Sequence, residues 1–533
     1  MSASLDLHDI QGNIIKAYGH FGFPVVRYIF YKINNETQGR QFISQLVDYI
    51  TTAAKWDVTG TVNGDIPKPL VTTNIAFTYS GLKKLGVPRQ SLQSFPDEFA
   101  MGMKARHAIL GDDLKSSPDN WDPIWQSEDQ VDIWLSINGQ SVDAINTRYQ
   151  ELLALLENTN QGVEQLHGHR GDNAAEDLPY QEASAIFKNG IPTPKEHFGY
   201  TDGISDPFFK GTGSNPANVI GGGKPTGDDP ATISGWEPLE TGEFILGHRD
   251  EAFEYPMAPY PRLLSYNGTF MVFRKLHENV ASFNNYLKTT AEGYPDSEES
   301  LAAKFVGRWR NGAPITKFPS ENDATKFNDR FTAVKQQIRN AGSTEERESA
   351  QQEYLQLRSE LVGFNFNNDI EGARCPLSAH TRRANPRGSL EFGVKDAFNT
   401  PGALINRRRI LRRGLPYGDV TDPTQNNGNH GIIFMAINAN IKRQFEFVQQ
   451  QWINYGNDFK QSSDKDPILG NHGVDDKNKA SGRMVIEADP NGEKAPFFCS
   501  NIPRFVETRG GDYFFIPSLT ALRMIGEGII DPT

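Results

Sequence analysis

Residues 25–50 read VVRYIFYKINNETQGRQFISQLVDYI, and the plan of the chain follows from this stretch. Val25 to Ile33 is rich in β-branched and aromatic residues, the composition of a strand. From Asn35 the period changes: Phe42, Leu46, Val47 and Ile50 fall on one face, which predicts a helix from Asn35 to Ile50. Further out, Thr72–Thr78 predicts a strand, and Ser80–Leu85 a short helix closed by Gly86 and Pro88. Val131–Ile137 and Val142–Leu156 then predict another strand and helix, the helix with Ile145, Leu152, Leu153 and Leu156 apolar. The second half follows the same order. Its elements are strand Thr269–Leu276, a helix through Val280 and Leu287, strand Ile432–Ile437, helix Ile441–Trp452 and a last strand at Asp512–Ile516. Two such sets imply two α+β domains of similar plan packed together, residues 1–186 and 187–533. Chance likeness of simple patterns accounts for the repetition equally well.

His167–Glu182, charged and without periodicity, marks the boundary region, and the Gly-, Pro- and Asn-rich run Gly211–Gly235 reads as a long surface loop. Phe327, Phe331, Val334 and Ile338 step at helical spacing until Asn340-Ala341-Gly342. Ser343 with Glu346 forms a capping box for a second helix carrying Ala350, Tyr354, Leu357 and Leu361. The two predict a helical hairpin inserted at about 320–365, laid on the surface and without chemistry of its own.

At 533 residues the chain exceeds the size at which one core keeps growing. A net charge of −12 argues against nonspecific binding to nucleic acid or to an anionic membrane. No apolar run approaches the ~18 residues of a membrane span. The N-terminal MSASLDLHDI lacks the cationic flank and apolar core of a signal peptide, which points to the cytoplasm. Cys375 and Cys499 alone are too few for a disulfide framework or a thiolate metal site.

The charge balance reverses locally in EGARCPLSAHTRRANPRGSLEFGVKDAFNTPGALINRRRILRRGLPYG, Glu371–Gly418. One histidine, His380, stands among Arg374, Arg382, Arg383, Arg387, Arg407, Arg408, Arg409, Arg412 and Arg413. Guanidinium groups hold planar anions in bidentate fashion. A metal-bearing ligand with carboxylates suits this stretch; so does a nucleotide phosphate or a solvated loop. Upstream, HFGYTDGISDP (His197–Pro207) sets Asp202 between Gly199 and Gly203. Glycines around an acid make either a tight Asx-type turn or a backbone that lets a flat ligand approach one carboxylate.

In combination these stretches resemble the dye-decolorizing peroxidases. The likeness lies in GxxDG at Gly199–Gly203, AHTRRANPR at Ala379–Arg387 and ILRRGLPYG at Ile410–Gly418. It extends through NIAFTYSGLKKLG (Asn74–Gly86), GEFILG (Gly242–Gly247), NGTFMVFRKL (Asn267–Leu276), GRWRNGAP (Gly307–Pro314) and RFVETRGGDYFFIPSL (Arg504–Leu519), so it covers both halves. Length and motif order look like the larger branch with fungal and cyanobacterial members. The resemblance implies two ferredoxin-like domains, antiparallel sheets with flanking helices, with haem b, one per chain, in the C-terminal one. It implies a peroxidase that reduces hydrogen peroxide and oxidises small aromatic donors such as phenols and dyes through an oxo-ferryl intermediate. A haem-storage, haem-delivery or iron-releasing protein on the same fold is the alternative.

Residue by residue, the resemblance makes His380 the iron ligand and Asp466, in DPILG, the carboxylate that accepts from its second nitrogen. A turn-initiating role before Pro467 is the other explanation of Asp466. Arg387 matches a propionate-binding arginine, and Gly203 lies against the cofactor. Asp202 matches the proton shuttle for peroxide and Arg412 the cation that stabilises charge as the O–O bond breaks. Ile432 and Phe434 match apolar residues that narrow the pocket. Tyr417 and Trp452 match positions that some relatives use as electron relays, although buried aromatic side chains commonly just pack. Gly414 stands two residues past Arg412 where several bacterial branches carry Asn or Ser. Asp206 stands where the motif often has an amide, with no consequence legible from sequence. An aspartate base remains usable where imidazole is protonated (~3.9 against ~6.5), which predicts an acidic optimum. Of the other histidines, His167 and His169 (HGHR) have metal-like spacing but read as a solvated loop.

Overall fold

A computed structural model describes residues 5–57, 66–171, 177–212, 216–226, 235–390, 403–474, 477–487, 493 and 495–531. Parts of the boundary region 167–182, of the loop 211–235 and of the Arg-rich stretch 371–418 therefore lie outside the described residues.

The first half runs β1 (Val25–Ile33), α1 (Glu36–Leu46), β2 (Val71–Phe77), β3 (Ile133–Gly139), α2 (Val142–Glu157) and β4 (Val163–Gln165). Asn35 starts α1 by accepting the Gln38 N–H at 3.1 Å, and the helix turns Phe42, Ile43 and Leu46 inward. The strands lie antiparallel in the order β2-β3-β1-β4, with Val25 opposite Gly139 and Tyr31 opposite Ile133. This is the βαββαβ arrangement of a ferredoxin-like unit.

The second half repeats it with insertions. After β5 (Thr269–Glu278) and α3 (Val280–Ala291) come the hairpin helices α4 (Glu321–Asn340) and α5 (Thr344–Val362) and the short α6 (His380–Ala384). Then follow β6 (Leu411–Arg412), β7 (Leu415–Tyr417), β8 (Gly431–Asn438), a helical stretch, and β9 (Val506–Ile516). Strand order is β6-β8-β5-β9, with β7 also on β8, which is again ferredoxin-like. β9 meets β2 at Phe515 opposite Phe77, so the two units share one sheet. That sheet curls back on itself: Tyr28 and Phe30 of β1 touch Phe273 of β5 at 5.6 and 5.3 Å between ring centres, although three strands separate β1 from β5 in the sheet. The aromatic core occupies the inside of this curl. Every residue of β3 and β5 is buried, including Arg274, Lys275, His277 and Glu278 of β5.

Three elements depart from the sequence expectation. The helix expected at Ile441–Trp452 is π-helical over Lys442–Glu446 and Val448–Ile453, with Glu446 N–H donating to Ile441 and Asn454 N–H to Gln449. Apolar spacing over three turns does not separate the two windings. β9 starts at Val506 rather than Asp512, because Gly510 and Gly511 mask the strand pattern. His169, expected in a solvated loop, is buried against the ring of Phe30. The hairpin is no loose appendage: Phe327, Val334, Leu357 and Leu361 share a cluster with Trp309, Ile315, Phe364 and Phe366. No helix among the described residues is long and apolar enough to cross a membrane.

Candidate active site

The loop before Asp202 is built around a carboxylate. Glu196 accepts the N–H groups of Phe198 at 2.7 Å and Tyr200 at 2.6 Å, and Gly199 between them turns with φ +93°. The chain then returns so that Asp202 N–H donates to Pro194. Gly203 follows at φ +70°; a Cβ there would stand 2.4 Å from Nε2 of His20. Its N–H donates to the Asp202 carboxylate.

Arg412 ends β6 opposite Ala436, so its side chain shares a face of β8 with Phe434 and Ile432. Those two are half-buried, while Ile433 and Met435 between and beside them point into the core. Arg412 Nη1 donates to Asp202 Oδ1 at 2.5 Å. Burial pushes the Asp202 carboxyl up, but Arg412, the Gly203 N–H and His20 outweigh it and hold it below its usual value. Asp206 accepts the backbone N–H of Arg412 at 2.9 Å and pairs with Arg413, which also donates to the carbonyls of Asn13 and Ile14. The acid that had no legible consequence in sequence is thus the clamp that fixes β6. At Gly414 a Cβ would fall 1.6 Å from the Ile433 carbonyl, so no side chain of any kind fits there.

The helix α6 begins at His380. Its Nδ1 donates to Asp466 Oδ2 at 2.9 Å, and Asp466 Oδ1 takes the N–H groups of Ile468 and Leu469, each at 2.8 Å. Burial would raise Asp466, but His380, the Leu469 N–H and Arg383 bring it down; burial would lower His380, and Asp466 brings it up. An ionised Asp466 fixes the proton on Nδ1 and leaves the Nε2 lone pair free, the tautomer of a metal-ligating imidazole. Arg383 ties α6 to the π-helical stretch through the carbonyls of Trp452, Tyr455 and Asp464.

The side chains of Asp202, Arg412 and His380 are 41%, 36% and 31% exposed, yet dense protein surrounds all three. The charges of Asp202 and Arg412 both bear on His380. Arg387 is buried, donating to the carbonyls of Val362 and Phe364 and to Ser205 Oγ, beside Arg308. Among the described residues no carboxylate pairs with either cation; burial and neighbouring guanidinium groups disfavour the charge on both. Unpaired buried cations are costly and call for an anion. Haem fits these residues on three counts: an Nε2 that the Nδ1–Asp466 bond leaves for a metal, two buried guanidinium groups without a carboxylate partner among the described residues, and a part-exposed acid–guanidinium pair whose charges reach His380.

Tyr417 is buried with its hydroxyl unpartnered and Lys275 Nζ 4.9 Å from its ring centre. Trp452 is buried too, donating from Nε1 to Asp458 and packing on Phe447 and Phe459. Most of the arginine cluster is structural: Arg382 donates to the carbonyls of Cys375 and Ile370, Arg409 to that of Gly221, and Arg407 pairs with Asp250.

The family description "DyP dimeric alpha+beta barrel domain" matches residues 9–171, and "Dyp-type peroxidase, C-terminal" matches residues 320–465. The chain belongs to the dye-decolorizing peroxidase family. Among relatives of this family, a dye-decolorizing peroxidase of Mycetinis scorodonius is 27% identical over 98% of this chain and 88% of its own length. A multifunctional dye peroxidase of Amycolatopsis sp. is 26% identical over 98% and 96%. The solved structure of an ancestral D-type dye-decolorizing peroxidase superposes with TM-score 0.68 at 27% identity, covering 98% of this chain and 99% of the other. The fungal peroxidase of Auricularia auricula-judae shares the fold at TM-score 0.69 and 22% identity, over 98% and 100%. As a member of this family the chain is a haem peroxidase.

Proposed function

We propose that the chain holds one haem b in its C-terminal unit, 187–533, ligated by His380, and uses hydrogen peroxide to oxidise small aromatic donors, phenols and dyes among them. Bound haem supplies the iron that cleaves the O–O bond and stores two oxidising equivalents. Asp202, through Oδ2, the oxygen that Arg412 leaves free, takes the proton from peroxide and returns it to the departing oxygen. Arg412 stabilises the negative charge that grows on that oxygen. Asp466 holds His380 in the ligating tautomer, and Arg387 with Arg308 takes up carboxylate charge. Ile432, Phe434 and the backbone of Gly203 restrict the space beside Asp202, so bulky donors react from outside. Tyr417 and Trp452 carry electrons inward for such donors.

The observations that support this proposal are an imidazole bound through Nδ1 to Asp466, which leaves Nε2 for a metal, and an ion-paired Asp202 and Arg412 near enough for both charges to bear on that imidazole. A protein that only stores or delivers haem needs His380 and carboxylate partners, but no acid–guanidinium pair on the far side. Phenolic donors are supported by a family structure described as a complex with 2,6-dimethoxyphenol, TM-score 0.67 at 22% identity. The test is rapid mixing of the haem-loaded protein with one equivalent of peroxide, followed by absorbance. A fast spectral change that Asp202→Asn slows by ~10²-fold or more is expected; an unaltered rate in that variant removes the proton role.

A further inference from the structure

Behind Asp202 lies a second pair of acids that the reaction as described does not use. Glu278 closes β5 and is 5% exposed; it accepts the backbone N–H of His197, and its Oε2 is buried with no hydrogen-bond partner. The carboxyl of Glu196 stands within hydrogen-bonding reach of it. Two carboxylates cannot bond to each other; two carboxyl groups sharing one proton can. The shared proton is the partner that Oε2 lacks. Burial, with the charge of Asp202, raises the proton affinity of both acids, and the neighbouring Glu196 raises that of Glu278 further. The other titratable groups facing the pair are Lys195, whose Nζ is engaged by the Arg310 carbonyl, and the hydroxyls of Tyr200 and Tyr417. No guanidinium or ammonium pairs directly with either glutamate among the described residues.

We propose that Glu196 and Glu278 hold one shared proton beside Asp202 and recharge it during turnover. Reducing one hydrogen peroxide to two waters consumes two electrons, taken from two donor molecules, and two protons. On each of the two donor oxidations one proton passes from the pair to the Asp202 carboxylate and on toward the oxygen that remains from peroxide, so that the two protons and two electrons together release it as the second water. Solvent returns the proton through Glu196, the half-buried member, while Glu278 stays closed. Glu196 also shapes the 196–200 turn, so the pair ties the geometry of the Asp202 loop to its proton supply. The assignment depends on Asp202 being the proton acceptor and extends it.

Difference infrared spectroscopy of the wild-type protein, with and without haem, tests the proton directly. A protonated carboxyl band present at neutral pH, retained in Asp202→Asn and lost in Glu278→Gln, is expected. Absence of that band in the wild type, or its loss in Asp202→Asn with retention in Glu278→Gln, overturns the proposal. Kinetics separate the pair from Asp202. Glu278→Gln should leave the first spectral change with peroxide intact, while donor turnover at pH 7 falls about tenfold and its pH profile shifts to the acid side. Glu278→Asp, which keeps an acid, should restore part of the turnover. An unshifted profile in Glu278→Gln, with Asp202→Asn still defective toward peroxide, refutes the pair and leaves Asp202 standing. A normal peroxide step in Asp202→Asn refutes the underlying role instead.

Discussion

Asp466→Asn tests the support of the iron ligand with the least change of shape. The carboxylate is fully buried and serves three donors: His380 Nδ1 on one oxygen, and the N–H groups of Ile468 and Leu469 on the other. An amide has one accepting and one donating end. With its oxygen toward His380, its NH2 faces two backbone donors; turned round, it faces Nδ1–H. Either orientation leaves at least one buried donor unsatisfied, which costs ~1–3 kcal/mol. The substitution also removes the charge that fixes the tautomer of His380. Loss of such a partner lowers affinity at metal sites by about 10–100-fold, or ~1.4–2.8 kcal/mol, which agrees with the hydrogen-bond count. Titration of haem into the apo protein, followed in the Soret band, should therefore show affinity reduced 10–100-fold. Urea unfolding of the apo variant should show a stability loss of no more than ~3 kcal/mol. Haem affinity within about twofold of wild type would refute the idea that Asp466 orients His380.

Asp202 is held below its ordinary value, so it remains a carboxylate as pH falls, and the acid limb of its reaction with peroxide should lie below ~4. Arg412→Leu removes the opposing charge, leaves burial dominant and should move that limb upward; stopped-flow pH profiles of the two proteins check it, and coincident limbs would contradict it. The same depression makes Asp202 and Asp466 sources of stability that is complete above ~3.9 and lost as pH falls through their lower folded values. Asp466→Asn should flatten the acid side of the pH–stability curve measured by denaturant midpoint. Asp206→Asn loosens both the Arg412 backbone and Arg413, so kcat/KM for peroxide should fall about tenfold, equivalent to ~1.4 kcal/mol, while KM for the donor holds. Leu357→Ala, in the hairpin cluster, should cost ~2–5 kcal/mol of unfolding free energy; a loss below ~1 kcal/mol would show the hairpin to be dispensable packing.

How far the sequence carried depends on what each residue is asked to do. Strands β1, β3, β5 and β8 were legible because buried strands demand β-branched and aromatic residues in runs, and α1 because its face keeps helical spacing. The merging of two units into one curled sheet was not, since it rests on a single pairing, Phe515 with Phe77, that leaves no periodic mark. Asp202, His380 and Arg412 stood out because glycines and arginines cluster around them. The cluster misled in one respect: Arg382, Arg383 and Arg409 bind backbone carbonyls, a use of guanidinium that composition cannot distinguish from anion binding. Glu278 and His20 act through contacts remote in sequence, with Glu196 and Gly203, so nothing local betrays them, and Asp206 showed only as a departure from the motif because its partner Arg412 is equally remote. Glu196 left one trace, an acid two residues before Phe198 in a glycine-closed turn, a pattern that also fits any tight loop.

The proposed chemistry requires His380 to carry iron at Nε2, opposite Asp202 and Arg412. His380→Gly, expressed as apo protein and titrated with haem in the absence and presence of imidazole, tests that claim most directly. The wild type should saturate at one haem per chain. The variant should lose the axial-histidine spectrum and regain it, together with part of its reactivity toward peroxide, when imidazole fills the gap. A His380→Gly protein that binds haem with the wild-type spectrum and needs no imidazole would place the iron on another side chain and contradict the account.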